Sequence, residues 1–185
     1  MAARIGYPAL LLFLLTVPFA NWLIGHVGTV CVPNGPCLVP VAPGLMAPSG
    51  VLAVGLALVL RDVVQRCLGA AWGVGAIVAG VGLSLAIAPP ALVLASGAAF
   101  LLSELADFAV YTPMQRRGLI VAVVASATAG LVVDSIVFLT LAFGSLEFLA
   151  GQIVGKAWAV LLTLPFIRLL RTWVPDAASQ NGARP

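Results

Sequence analysis

Ala95-Ser-Gly-Ala-Ala-Phe100-Leu-Leu-Ser-Glu104-Leu-Ala-Asp107-Phe-Ala-Val-Tyr111 reads as an apolar helix with one polar seam. Ser96, Phe100, Ser103, Glu104, Asp107 and Tyr111 follow one another in steps of three and four, so they share a helix face. A charge placed inside an apolar span costs roughly 2.5–3.5 kcal/mol on insertion scales, and such residues mark interior or functional positions. Two carboxylates one turn apart also repel each other unless they are protonated, ligated or paired. The stretch therefore predicts a membrane helix whose seam faces a polar centre.

The rest of the chain agrees. Its 185 residues are 62% hydrophobic and 8% charged, with a mean hydropathy of +1.17. Soluble domains carry about 25% charge, so a soluble fold is excluded. Spans of about 20 apolar residues fall at approximately 6–24, 48–68, 71–88, 90–112, 118–143 and 148–172. The predicted class is an all-α polytopic membrane protein with six transmembrane helices. It forms one domain over 1–173, followed by a short polar tail over 174–185. Arg4, Arg61, Arg66, Arg116, Arg117, Arg168, Arg171 and Arg184 fall on one face of such a bundle. The loops near 25–47, 88–90 and 144–147 contain no Lys or Arg. By the positive-inside rule both termini are cytoplasmic. The net charge of +3 is what this topology demands. The arginines occur singly or in pairs, which is no nucleic-acid signature, and the lipid bilayer is the expected surrounding partner.

Arg4 before an apolar run has the form of a signal peptide. Removing that span would put Arg116, Arg117, Arg168 and Arg171 on the far side, which favours a retained helix. The first loop, Cys31-Val-Pro-Asn-Gly-Pro-Cys37, is too rich in Pro and Gly for regular helix. If exported, Cys31 and Cys37 could close a small disulfide; two free thiols are the alternative. The apolar segment Leu38–Met46, broken by Pro40 and Pro43, is a candidate to dip back toward the centre. Gly73, Gly75, Gly80 and Gly82 predict close helix packing along the third span.

Helical rise converts sequence position into depth. Asp134 precedes the end of the fifth span by eight residues and Lys156 follows the start of the sixth by eight. Both lie ~12 Å below the outer surface, as an ion pair would require, with Gln152 one turn from Lys156. Glu104 lies ~20 Å deep, level with Arg61 and Asp62 on the second span. Asp62 and Arg66 stand four apart, a spacing that suits an intrahelical pair. Two charged layers follow, Asp134 with Lys156 outside, and Arg61, Asp62, Glu104 and Asp107 nearer the cytoplasm. Arg61, Arg66 and Asn21 are candidates for structural or gating roles.

Carboxylates, the Gln152 amide, hydroxyls and Phe100 suit a small, flat, hydrogen-bonding solute. A guanine-type edge presents adjacent N–H donors that one carboxylate can accept in pairs. No nucleophile–base pair is visible and the single His sits at a loop, so no enzyme activity is expected. No metal site or cofactor is indicated.

At these residues the sequence resembles the VUT family of vitamin uptake transporters, which includes the bacterial queuosine precursor transporter. The resemblance lies in Ala95–Asp107, in Ala125-Ser-Ala-Thr with Asp134-Ser-Ile-Val-Phe, in Gly151-Gln with Lys156, and in Arg61-Asp62 with Arg66-Cys-Leu-Gly69. It covers about 48–170. It implies an inner-membrane carrier of 7-deazapurine precursors of queuosine, with a substrate site built from Asp62, Glu104, Asp107, Asp134 and Lys156. Position 104 is Glu where the family pattern has Gln, which adds a negative charge. Six-helix vitamin carriers of energy-coupling-factor systems share this plan. The alternatives are therefore a substrate-binding subunit that needs energising ATP-driven partners, a homo-oligomer, and a structural protein whose ion pairs only fix packing.

Overall fold

Burial in this protein is inverted relative to a soluble domain. Arg61, Asp62 and Asp107 are 0% exposed, whereas Leu94 is 81% and Leu162 73% exposed. With no water to bond backbone groups in a bilayer, only internally hydrogen-bonded elements can span it, and the chain answers with helices. The computed structural model describes residues 2–33, 36–88 and 92–170; the polar tail expected over 174–185 lies outside them.

The elements are α1 (Ala2–His26), β1 (Val30–Cys31), β2 (Cys37–Ala42), β3 (Leu45–Pro48), α2 (Val51–Leu68), α3 (Ala70–Ile87), α4 (Val93–Met114), α5 (Leu119–Phe143) and α6 (Leu149–Leu170). A 3-10 turn over Gln115–Arg117 joins α4 to α5. By length and composition α1, α3, α4 and α5 are each apolar enough to cross a membrane. In α2 the obstacle is Arg61, Asp62 and Arg66, which all point inward. The chain is a helical multi-pass membrane protein.

Helix α1 packs on α2 and α4 on α5, while α2 also lies along α6. Between α2 and α3 the chain reverses at Gly69, whose φ of 98° is readily reached only without a Cβ. Arg66 Nη1 donates to the Gln115 carbonyl at 3.1 Å, which places the end of α2 beside the end of α4. This is the arginine end of the bundle. The opposite end carries the loop from α1 to α2.

That loop is where the all-α expectation is amended. It forms a three-stranded antiparallel sheet in the order β1-β2-β3. Leu38 stands opposite Pro48 and Pro40 opposite Met46, with an irregularity between Pro40 and Ala42. Cys31 and Cys37 pair in register and are disulfide-bonded. Pro excludes helix here, but Val39-Pro-Val41 suits extended backbone, and Pro40 lies beyond the two residues of β2 that pair with β1, so its missing N–H breaks no bond to that strand. Ser49 Oγ then ties the exit of the sheet to the Leu23 carbonyl at 2.7 Å.

Small residues let the helices close on one another. A Cβ at Gly55 would lie 2.7 Å from Ala159 Cβ and 2.8 Å from the Lys156 carbonyl oxygen. Gly151 lies directly beneath the Met46 carbonyl, and Gly155 beneath Val41 and Val51, so α6 carries both the hairpin and the start of α2. On α3 the packing expectation is corrected in part. Gly80 meets the Phe100 ring and Gly73 touches Gln65, but nothing lies within 4 Å of Gly75 or Gly82. Their faces are turned away from the bundle.

Gly55→Val should therefore cost about 1–3 kcal/mol through overpacking, read as a lowered melting temperature of the detergent-purified protein. Gly75→Val, in open space, should leave that temperature nearly unchanged. Equal shifts in the two variants would contradict the α2–α6 contact.

Candidate functional site

Helix α4 turns its polar seam inward. Ser103, Glu104, Asp107 and Tyr111 are all buried, and α2 faces them with Arg61, Asp62, Gln65 and Arg66. Arg61 sits among three acids. Its Nε donates to Glu104 Oε2 at 3.1 Å. Its Nη2 lies 3.0 Å from Asp62 Oδ1 and also pairs with Asp107 Oδ1. The remaining arm, Nη1, donates to Gln65 Oε1 at 2.8 Å. The rings of Phe108 and Tyr111 lie 5.7 Å from the guanidinium carbon. The planar fork of Arg, with donors pointing outward in fixed directions, suits such a hub better than the point charge of Lys.

Asp62 is held on both oxygens, because Ser126 Oγ of α5 donates to Oδ2 at 2.7 Å. Gln65 Nε2 goes on to Thr112 Oγ1 at 3.1 Å. In this way α2, α4 and α5 are joined by one polar network. Asp62 turns to Arg61 and Ser126, the neighbours that its helix spacing with Arg66 did not predict.

The second layer lies nearer the hairpin end. Lys156 Nζ donates to Asp134 Oδ2 at 2.5 Å, to Ser135 Oγ at 2.8 Å and to Gln152 Oε1. Three acceptors match the three protons of an ammonium group. Ser103 Oγ reaches Asp134 Oδ1 at 3.5 Å and links this layer to α4.

Between the layers and the hairpin lies a cavity of about 650 Å³, counted with its open mouth. Glu104, Asp134, Gln152 and Lys156 line it together with Phe100 and Asn21. Asp62, Asp107, Arg61 and Arg66 do not line it; they stand behind Glu104, toward the arginine end. Ser84, Thr16 and Phe138 complete the wall and were not anticipated. Nor were the roles of Ser126 and Ser135. Ser126, Gly130 and Asp134 recur at steps of four on α5, a seam like that of α4, and this spacing was the available signal.

A family model described as putative vitamin uptake transporter matches residues 85–170. That segment holds α4, α5 and α6, and with them Glu104, Asp107, Asp134, Gln152 and Lys156. Over these helices the chain is similar to the putative vitamin uptake transporter family. No curated protein and no solved structure matches the chain. The matched helices carry four of the five lining groups just named that bear a charge or an amide, so the family segment and the cavity coincide.

Removing one partner of a buried ion pair strands the other charge and costs about 3–5 kcal/mol. Lys156→Met should lower thermal stability by that order, because Asp134 keeps only the long Ser103 contact. Adding Asp134→Asn should restore most of the loss. A double variant no more stable than Lys156→Met would argue against a directly coupled pair.

Proposed function

We propose that this chain imports a small, flat nitrogen heterocycle of the 7-deazapurine class, bound in the cavity on the hairpin side of Glu104. The observation that carries the reading is Glu104, a buried carboxylate on the wall of a cavity that also offers an aromatic ring, Phe100. One carboxylate can accept from the adjacent N–H donors of a guanine-type edge, and the ring can support the face of the base. Gln152 and the Asp134–Lys156 pair supply further polar contacts on the opposite wall. Transport is favoured over catalysis because three of the helices that line the cavity, α4, α5 and α6, are those that match a family model of uptake transporters.

Orientation in the bilayer follows from charge. The arginine end faces the cytoplasm by the positive-inside rule, so the cavity lies in the half of the bundle nearer the outside, beneath the disulfide-bonded hairpin. Solute entering from that side passes Asp134, Gln152 and Lys156, reaches Glu104, and has the Arg61 network behind it. Movement of the helices that share Arg61 would then expose the site to the cytoplasm, as alternating access requires.

The test is uptake of a labelled 7-deazapurine precursor by cells unable to make queuosine. Wild-type protein should restore accumulation. Glu104→Ala should abolish it at equal membrane abundance, since hydrogen bonds to a charged group contribute about 1.5–3 kcal/mol, roughly 10- to 100-fold in affinity. Normal uptake by Glu104→Ala, or none by well-inserted wild type, would defeat the proposal. Liposomes containing this chain alone, loaded or not by the same solute, decide whether energising subunits are needed.

A further inference from the structure

Among the described residues, the charges inside the bundle do not balance. Asp62, Glu104, Asp107 and Asp134 are four buried acids, set against three buried bases, Arg61, Arg66 and Lys156. Lys156 is committed to Asp134, and Arg61 is shared by the other three acids. In a low-dielectric interior, neighbouring carboxylates that share one cation do not all stay ionised. The structure identifies where the extra positive charge goes.

Asp62 has both oxygens engaged, by Arg61 and Ser126. Glu104 offers Oε2 to Arg61 and faces the cavity. Asp107 is the exception. Its Oδ1 shares Arg61 Nη2 with Asp62, while its Oδ2 is buried with no hydrogen-bond partner among the described residues. One turn further along α4, the buried Tyr111 hydroxyl also lacks a partner among them. From α5, Asp107 is faced by Gly130, where an added Cβ would come within 3.3 Å of Oδ2. The charged or titratable groups around it are Arg61 and Asp62 from α2 and Glu104 and Tyr111 from its own helix. Asp134 of α5 and Lys156 of α6 lie in the other layer, beyond Ser103.

We infer that Asp107 is a proton-binding site of this transporter, linked to the cavity through Arg61 and Glu104. A metal cation would have to occupy the centre of the three carboxylates, and the Arg61 guanidinium already fills it. A proton needs only the unpartnered Oδ2. The link is electrostatic: whatever neutralises or engages Glu104 from the cavity frees Arg61 to pair more fully with Asp107. The Oδ2–H bond then breaks and the proton leaves toward the arginine end, on the side of Tyr111. The coupling of this proton to solute uptake rests on the transport reading above; the proton site and its link to Glu104 do not.

Infrared spectroscopy of the full chain in lipid nanodiscs tests both without any solute. Wild type at neutral pH should show the C=O stretch of a protonated carboxyl group. The band should shift when aspartates carry a ¹³C carboxyl, and should be missing from Asp107→Asn. Labelling on wild type separates aspartate from glutamate, and Asp62→Asn, in which the band should persist, separates Asp107 from its neighbour; loss of the band in Asp62→Asn but not in Asp107→Asn overturns the site. In Glu104→Gln the same band should fade at lower pH than in wild type, since losing that negative charge leaves Arg61 to Asp107. No protonated-carboxyl band, or one that answers only to labelled glutamate, overturns the site. A band whose pH response is unchanged in Glu104→Gln overturns the link. Neither result depends on whether a deazapurine is carried, so this inference and the solute assignment fail separately.

Discussion

A single guanidinium holds the interior together. Arg61 is fully buried and draws Asp62, Glu104 and Asp107 around it, and through Gln65 it reaches Thr112. Its desolvation is tolerable only because every arm is occupied, and the acids are tolerable only because Arg61 is there. Helices α2 and α4 are thereby fixed in depth relative to each other, and Ser126 extends the constraint to α5. The apolar contacts that surround this hub position helices loosely. The charged contacts set their register.

The division of labour extends to the cavity. Where the two ionic layers leave a gap, on the hairpin side of Glu104, space for a solute remains. Asp134, Gln152 and Lys156 close one wall with bonds among themselves, while Glu104 stands on the other wall with Arg61 behind it. A carboxylate gripped from behind and facing a cavity is well placed to sense what arrives in front.

Much of this was legible in the chain. The helix count and the approximate helix boundaries followed from apolar length, and counting residues along four spans brought Asp134 level with Lys156 and Arg61 level with Glu104. Depth is a one-dimensional quantity, and sequence supplies it directly. Rotation about each helix axis is not, and there the reading fell short. Asp62 and Asp107 lie at the right depth for the cavity, yet they face Arg61 and Ser126. Gly75 and Gly82 look like their neighbour Gly80 in sequence but point away from the bundle. Short-range hydroxyl partners such as Ser135 escaped notice because serine is common in membrane helices and carries no charge to flag it. The β-hairpin escaped because Pro and Gly announce what a loop is not; its strands appear only once pairing partners three to ten residues apart are set side by side.

The hairpin and the hub also give the two ends of the bundle different mechanical characters. At one end, Gly151 and Gly155 let α6 run beneath a crosslinked strand pair with no side chain of their own to catch on it. At the other, α2 and α4 are locked by directional bonds that are either made or broken. The first contact tolerates gradual sliding, whereas the second permits only discrete positions. A bundle built this way has a smooth bearing at its mouth and a click-stop at its base, so its conformations should be few, distinct and counted from the base upward.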